Sequence, residues 1–239
     1  MNRKHLKPLM LALALALVFS ACSGEGEAQT GDEGSLPAQL RTPAEGATIA
    51  VFETSLGSFS ALIFESEAPL AAENFISLAN SGYYNGLSFH SVAENFVAKT
   101  GDPSGTGRGG QSVWGEPFKN EYSQQLHHYI GALGMANSAE NQNGSQFYFV
   151  TGEAVSAEAL EEMRSLGYSE EVVSAYESEG GQPGLDYKYT VFGQVYEGLE
   201  VLEKINKVNT DASDKPRREI TLISLTISSY SAPVEGEEA

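Results

Sequence analysis

Few side chains in this sequence could take a direct part in covalent chemistry. The chain has four histidines and one cysteine in 239 residues. His127 and His128 are adjacent, so on a strand they would point to opposite faces and would not share a metal ion. His90 lies in the run FHSVAENFVAKTGD, residues 89–102, together with one serine and one lysine. Because no Ser-His-Asp set and no close pair of carboxylates stands out, we expect neither a metal site nor hydrolytic chemistry.

The glycine-rich stretch GTGRGG, residues 105–110, has the composition of a phosphate-binding loop. It lacks the GK[ST] residues that would follow and it opens no helix, so we expect a loop packed closely on the domain. Asp102 follows Gly101 and is interpreted as a turn residue rather than an acid catalyst. His90 is interpreted as a buried histidine rather than a general base.

The N-terminal residues indicate export. Three basic residues precede the apolar stretch Leu9–Phe19, which is shorter than the about 20 residues of a membrane-spanning helix and is typical of a signal peptide. The sequence FSAC, residues 19–22, resembles a bacterial lipobox. That resemblance implies a signal peptide over residues 1–21, lipidation of Cys22, and attachment to the extracytoplasmic face of the cell membrane. The alternative is an ordinary secretory signal with an incidental cysteine.

Composition divides the rest of the chain into three parts. Residues 22–40 are rich in Gly, Glu, Ser and Ala and predict a disordered acidic tether; the tail, residues 231–239, is similar. The segment 41–230 is long enough for one domain. Removal of the three signal-peptide cations changes the net charge from −18 to −18 − 3 = −21. Such a charge excludes nucleic acid as a partner and favours either simple solubility or a preference for basic client segments.

The apolar periodicity predicts a strand-rich domain. Two β-type runs flank a turn at residues 55–57, and a helix begins near Pro69 and ends before Gly82. A strand, a helix and a last strand follow near the C-terminus: Thr190–Val195, a helix with Leu199, Leu202 and Ile205 toward the core, and Glu219–Ser228. Strands near both termini with two interposed helices suggest a closed antiparallel barrel with capped ends.

Residues 153–183 interrupt the β pattern. Two short helices are expected there, with Ser156 and Ser169 as N-caps and with glycines 167 and 180 as their ends. We interpret this segment as a surface insertion packed on the barrel.

Four stretches resemble the cyclophilin-type peptidyl-prolyl isomerases: Ala72–His90, Asn95–Gly110, Gly131–Thr151 and Leu185–Gly198. The combination of LGMANS with NGSQFYF is highly specific. The resemblance implies a mainly β fold, a closed eight-stranded antiparallel barrel with a helix over each end, and isomerisation of prolyl bonds without metal or cofactor. It implies proline-containing unfolded or exported polypeptides as partners, and a monomer.

The resemblance also assigns a site, position by position. Phe96 and Gln146 match catalytic residues of the family. Residues that match or replace substrate-binding residues are Val97, Ala136, Asn137, Ser138, Tyr148, Leu185 and Tyr189. Tyr148 stands at a family phenylalanine, and its added hydroxyl must find a partner.

Two departures from the family pattern concern catalysis. Ser91 replaces the arginine of the Phe-His-Arg motif, which is credited with donating to the prolyl nitrogen. Lys99 replaces a glutamine, and either returns a cation to the same corner of the pocket or points to water; lysine lacks the planar fork of arginine. A third departure, Gly184 in place of a tryptophan, implies weak binding of the inhibitor cyclosporin. The chain is therefore expected to be an isomerase of reduced activity. The alternatives are a non-catalytic proline-peptide binding module or chaperone, and an interaction lipoprotein that uses its insertion.

Overall fold

A computed structural model of the chain describes residues 36–233. Within them, nine strands form one sheet: β1 (Thr48–Thr54), β2 (Gly57–Ile63), β3 (Leu87–Ser88), β4 (Ser91–Ala93), β5 (Val97–Thr100), β6 (Ala132–Ala139), β7 (Gln142–Val150), β8 (Val191–Glu197) and β9 (Thr221–Ser229). Four α-helices accompany it: α1 (Pro69–Asn80), α2 (Ala157–Ser165), α3 (Glu170–Glu179) and α4 (Leu199–Asn206). No helix of this part of the chain is long and apolar enough to cross a membrane.

The sheet is a curled antiparallel half-barrel with the strand order β3-β9-β1-β2-β8-β6-β7-β5-β4. The predicted closed barrel of eight strands is therefore wrong in both strand number and closure. The cause lies at the edge segment, where the chain changes partner within two residues. The Phe89 N–H donates to the Ile220 carbonyl at 2.9 Å, whereas the His90 N–H donates to the Lys99 carbonyl at 3.1 Å. One edge segment is thereby split into β3, which pairs with β9, and β4, which pairs with β5.

An aromatic cluster fills the concave side of the sheet. Phe52 and Phe59 lie opposite each other on β1 and β2, and their rings stack with centroids 4.8 Å apart. Phe149 meets both rings edge-on, at 5.2 and 5.0 Å, and Phe75 of α1 packs edge-on against Phe147 at 5.3 Å. All five are essentially buried. Each such pair contributes about 0.5–1.5 kcal/mol beyond the burial of its area, so this cluster fixes α1 on the sheet.

Helix α4 packs through a different stripe from the one predicted. Leu202 and Ile205 are buried as expected, but Leu199 is 40% exposed and Val201 is buried in its place. Leu199 is the first helical residue after Gly198. Successive residues of a helix are rotated by about 100° about its axis. When Val201, Leu202 and Ile205 face the core, Leu199 therefore lies at the edge of the buried face.

The insertion forms the two expected helices. The Ser156 hydroxyl oxygen accepts from the Ala159 N–H at 3.2 Å, and that of Ser169 accepts from the Val172 N–H at 3.3 Å. Buried side chains of both helices pack together around Tyr129, which is completely buried. The insertion therefore has a small core of its own, attached to the β domain.

Ordered structure begins earlier than the predicted boundary at residue 41. Ala38–Leu40 form a 3-10 helix in which Gln39 is buried. The Gln39 amide donates to the His127 carbonyl at 2.7 Å and accepts from the His127 N–H at 2.7 Å. The prediction of disorder is thus wrong for residues 38–40, because this paired amide fastens them to the domain. The predicted signal peptide, Cys22, most of the tether and tail residues 234–239 lie outside the described residues.

Candidate active site

A small apolar pocket opens beside strands β5, β6 and β7. Its volume is about 100 Å³. Eight side chains, all assigned to the site by the sequence, line it together: Phe96, Val97, Lys99, Ala136, Asn137, Tyr148, Leu185 and Tyr189. Pockets for drug-sized ligands usually measure about 300–1,000 Å³, so this one suits a single small ring.

The ring of Tyr148 lies in this pocket because the neighbouring strand leaves space for it. Tyr148 on β7 is paired with Gly134 on β6, and a Cβ at position 134 would overlap the tyrosine ring. Leu185 enters from the other side, at the end of the 3-10 helix Pro183–Leu185. Phe96 is 38% exposed at the rim, so the apolar lining remains accessible to a ligand.

Three residues paired across neighbouring strands carry polar groups at or beside the pocket. Ser91 of β4 pairs with Lys99 of β5, and Lys99 pairs with Tyr148 of β7. Directly paired residues on antiparallel strands share a face, so Ser91 and Lys99 are neighbours, although only Lys99 lines the pocket. Lys99 is half-buried and lines the pocket. Within residues 36–233 no hydrogen bond or ion pair is described for its ammonium group, which leaves this group able to donate to a ligand.

Of the two predicted amide residues, Asn137 lines the pocket and Gln146 does not. The Oδ1 atom of Asn137 is buried and has no hydrogen-bond partner among the described residues, and a buried polar atom without a partner is costly. The Gln146 Nε2 group donates to the Gly109 carbonyl at 2.7 Å, which fixes this amide. Ser138 is the next residue of β6 after Asn137.

The glycine loop that holds Gln146 is organised by Asp102. Its carboxylate accepts from the backbone N–H groups of Ser104, Thr106, Arg108 and Gly109 at 2.8–3.2 Å. Burial alone would raise the pKa of Asp102, but these hydrogen bonds outweigh it and lower the pKa to about 2. The loop donors are therefore occupied by the chain's own carboxylate. This agrees with the structural role predicted for the glycine loop, and no N–H of these four is free for a phosphate.

A buried network supports the pocket from behind. The Oδ1 atom of Asp186 lies 2.7 Å from Nδ1 of His128, and Oδ2 lies 3.0 Å from Nδ1 of His127. The Tyr176 hydroxyl donates to the same carboxylate at 2.9 Å. On the other side of its ring, His128 Nε2 lies 2.8 Å from the Tyr148 hydroxyl. An ionised carboxylate only accepts, so Nδ1 of His128 carries a proton, and Nε2 on the other side of the ring is hydrogen-bonded to the Tyr148 hydroxyl.

Electrostatics within this network favour one protonation state. Burial opposes the charge of Asp186, but hydrogen bonds from His127 and His128 prevail and lower its pKa to about 2. Burial raises the pKa of Tyr148 well above its usual range, so the phenol keeps its proton. The hydroxyl that Tyr148 adds to the pocket is thereby bound to His128 instead of facing the apolar cavity unpaired.

Comparison with known proteins agrees with this geometry. The family model described as "Cyclophilin type peptidyl-prolyl cis-trans isomerase/CLD" matches residues 49–227. The chain belongs to this family. It is 41% identical over 190 residues to the "Putative peptidyl-prolyl cis-trans isomerase" of Staphylococcus saprophyticus, covering 79% of this chain and 96% of that protein. A protein with the same name from Staphylococcus aureus is 39% identical over 177 residues, covering 74% and 90%.

Solved structures are also similar. A cyclophilin-type isomerase of Cryptosporidium parvum has a TM-score of 0.61 and 30% identity, and the match covers 78% of this chain and 99% of that one. A second structure of the Cryptosporidium protein, determined in the presence of the dipeptide Ala-Pro, matches with a TM-score of 0.61 and 31% identity, covering 76% and 99%.

In this cyclophilin, sequence reasoning missed His128 and Asp186 as parts of the site. It expected His127 and His128 to point apart, as on a strand. The two residues lie outside the strands, and both rings contact one carboxylate. The tyrosine at position 148 was the available signal, because its buried hydroxyl required a partner.

Proposed function

We propose that this cyclophilin is a peptidyl-prolyl isomerase of reduced activity that acts outside the cytoplasm on unfolded or newly exported polypeptides. The observation that supports the proposal most is the apolar pocket of about 100 Å³, into which eight independently assigned side chains converge. The lipobox-like residues 19–22 and the lone Cys22 support attachment to the membrane. Many peptides could use the pocket, because a proline ring is the shared feature.

The reaction needs binding rather than bond cleavage. Rotation about a prolyl amide crosses a barrier of about 18–20 kcal/mol that arises from amide resonance. A site lowers it by holding the twisted amide more tightly than either planar form. Here the proline ring occupies the apolar pocket between Phe96, Tyr148 and Leu185. Asn137 lines the same pocket, and its side-chain amide holds the flanking peptide while the prolyl amide turns.

The donor to the prolyl nitrogen is the weakest element of the site. Serine at position 91 is short and neutral where the family has arginine. Removal of one preorganised donor costs about 10²–10³ in rate at other catalytic sites. Lys99 offers a cation from the neighbouring strand position, and we assign it the donor role. Its ammonium is a flexible point charge, so the replacement is partial.

Isomer-exchange spectroscopy on a short Ala-Pro peptide tests the proposal. The full chain in detergent should accelerate exchange well above background, and Phe96→Ala, which removes a wall of the pocket, should abolish the acceleration. Peptide binding without acceleration would instead support the non-catalytic binding module that the absence of arginine favours. If the peptide shows neither binding nor accelerated exchange, the assignment of the pocket is refuted.

Attachment to the membrane has a separate test. Cells fed a clickable fatty acid should label the full chain but not a Cys22→Ala variant, and protease added outside intact spheroplasts should degrade the domain. Failure of the Cys22→Ala change to alter labelling would refute the anchor without affecting the isomerase assignment.

A further inference from the structure

A largely apolar groove, with Glu162 on its α2 side, lies next to the proline pocket on the side of the insertion. Its volume is about 550 Å³, and it is bounded by residues of α2 and by the loop 183–188. This size is within the about 300–1,000 Å³ that is usual for binding sites. The groove is therefore large enough for a peptide side chain and its neighbour.

The groove exposes large apolar side chains to water. Leu166 is 70% exposed and Tyr187 is 48% exposed, and both line the groove, whereas Met163 at its inner surface is 3% exposed. Single exposed apolar residues are ordinary. Two in one cavity above a buried methionine form an apolar surface that a ligand side chain could cover.

The groove and the proline pocket are lined by neighbouring residues of one short stretch of chain. Leu185 lines the pocket, while its neighbours Gly184 and Asp186 line the groove. Contacts of the Asp186 carboxylate to His127, His128 and Tyr176 hold this stretch in place. A helical turn, such as the one that carries residues 184 and 185, is on the order of 10 Å wide. An extended peptide advances about 3.3 Å per residue, so about three residues span that width. A client chain leaving the pocket would reach the groove within roughly three residues.

Charge indicates what the groove would accept. The stretch 153–180 contains eight glutamates and one arginine, a net charge of −8 + 1 = −7. The one cation, Arg164, lies 3.6 Å from Glu161 and 3.2 Å from Glu170. Glu162 lines the groove, and no ion pair is described for it within residues 36–233. On the opposite rim the Lys188 ammonium donates to the Gly184 carbonyl at 2.8 Å, so a ligand cation belongs on the α2 side.

We propose that this groove is a second peptide subsite that binds an apolar side chain next to a lysine or arginine, about three residues from the proline being isomerised. It rests on the proposed function, since one client chain would occupy both cavities. The apolar side chain would cover Leu166 and Tyr187, and the adjacent cation would pair with Glu162.

Fluorescence anisotropy with labelled peptides and the full chain in detergent tests this subsite. One peptide has Pro in an Ala background, and two others carry Leu-Lys three residues before or after the proline. We expect one Leu-Lys peptide to bind about tenfold more tightly than the Ala peptide, the equivalent of about 1.4 kcal/mol. Glu162→Lys and Leu166→Ser should each remove most of that advantage, and both residues are on the surface of the insertion. Glu177→Lys is the matched control, because it makes the same charge change at an exposed residue of α3 away from the groove, and it should keep the advantage.

Equal affinity for the three peptides would overturn the subsite, as would an advantage that survives Glu162→Lys. Because anisotropy requires no turnover, the two proposals fail separately. Exchange without a Leu-Lys preference overturns only the subsite. A Leu-Lys preference that depends on Glu162, without exchange, supports the subsite and overturns only the catalytic activity.

Discussion

Replacement of Asp186 by asparagine should lower the free energy of unfolding by about 2 kcal/mol at pH 7. The folded protein holds this carboxylate at a pKa of about 2 against an ordinary value of 3.8. The two pKa values differ by about 1.8, and a difference of one in pKa corresponds to about 1.36 kcal/mol, which gives the predicted loss. Burial raises the pKa of Asp186, but the hydrogen bonds and charges of His127 and His128 exceed that effect and are the physical source of the stabilisation.

The pH dependence of this loss has a definite sign. The folded pKa of Asp186 lies below its unfolded value, so the stabilisation is present above about pH 4 and disappears as the pH falls toward 2. The asparagine side chain of the variant cannot titrate. The free energies of unfolding of the two proteins should therefore differ most near neutral pH and converge in acid.

Urea denaturation followed by far-UV circular dichroism between pH 7 and pH 3 measures this difference. With a slope of about 2 kcal/mol/M for a domain of this size, the midpoint at pH 7 should fall by about 1 M. Glu177→Gln, at an exposed acid of the same insertion, should leave the midpoint nearly unchanged. Equal midpoints at pH 7, or a difference that stays constant down to pH 3, would show that the ionised carboxylate does not stabilise the fold.

Four further substitutions test the pocket. Ser91→Arg should raise kcat/KM in the exchange assay about tenfold or more, because it restores a preorganised donor. If Ser91→Arg changes nothing, Lys99→Gln should abolish activity. If neither substitution changes kcat/KM, no residue at position 91 or 99 acts as the donor. Tyr148→Phe should cost about 1 kcal/mol in urea denaturation by leaving His128 Nε2 without its hydrogen bond, and an unchanged midpoint would contradict that contact. Gly134→Ala should raise KM for the Ala-Pro peptide because its Cβ would overlap the Tyr148 ring. A wild-type KM together with a shifted urea midpoint would show that the substitution strains the fold without displacing Tyr148 in the pocket.

The pocket could be predicted from the sequence because its side chains follow local, recognisable stretches. Phe96, Val97 and Lys99 belong to one strand region, and Ala136 and Asn137 to another, so a family pattern carries their relative positions. The helices of the insertion were predictable for a different reason: serine caps and glycine ends act within one turn.

The supporting network could not be predicted, because it joins residues far apart in the chain through side chains alone. His128 and Asp186 are 58 positions apart, and no periodicity relates them. The alternation rule also misled the interpretation of His127 and His128, since it applies only inside a strand. The split of the edge segment at residues 89–90 depended likewise on backbone partners in β5 and before β9, which the segment's own residues do not reveal.

The hydroxyl of Tyr176 makes the insertion part of the catalytic domain's architecture. It donates to both oxygens of Asp186 at 2.9 Å and accepts from the His128 N–H at 2.9 Å. Excision of α2 and α3 would strip these bonds from the wall behind the proline ring and uncover Tyr129. A shortened protein would therefore lose the support of this pocket wall, whether or not a peptide contacts the helices. If the insertion were grafted onto another isomerase, Asp186, His127 and His128 would have to be transferred with it.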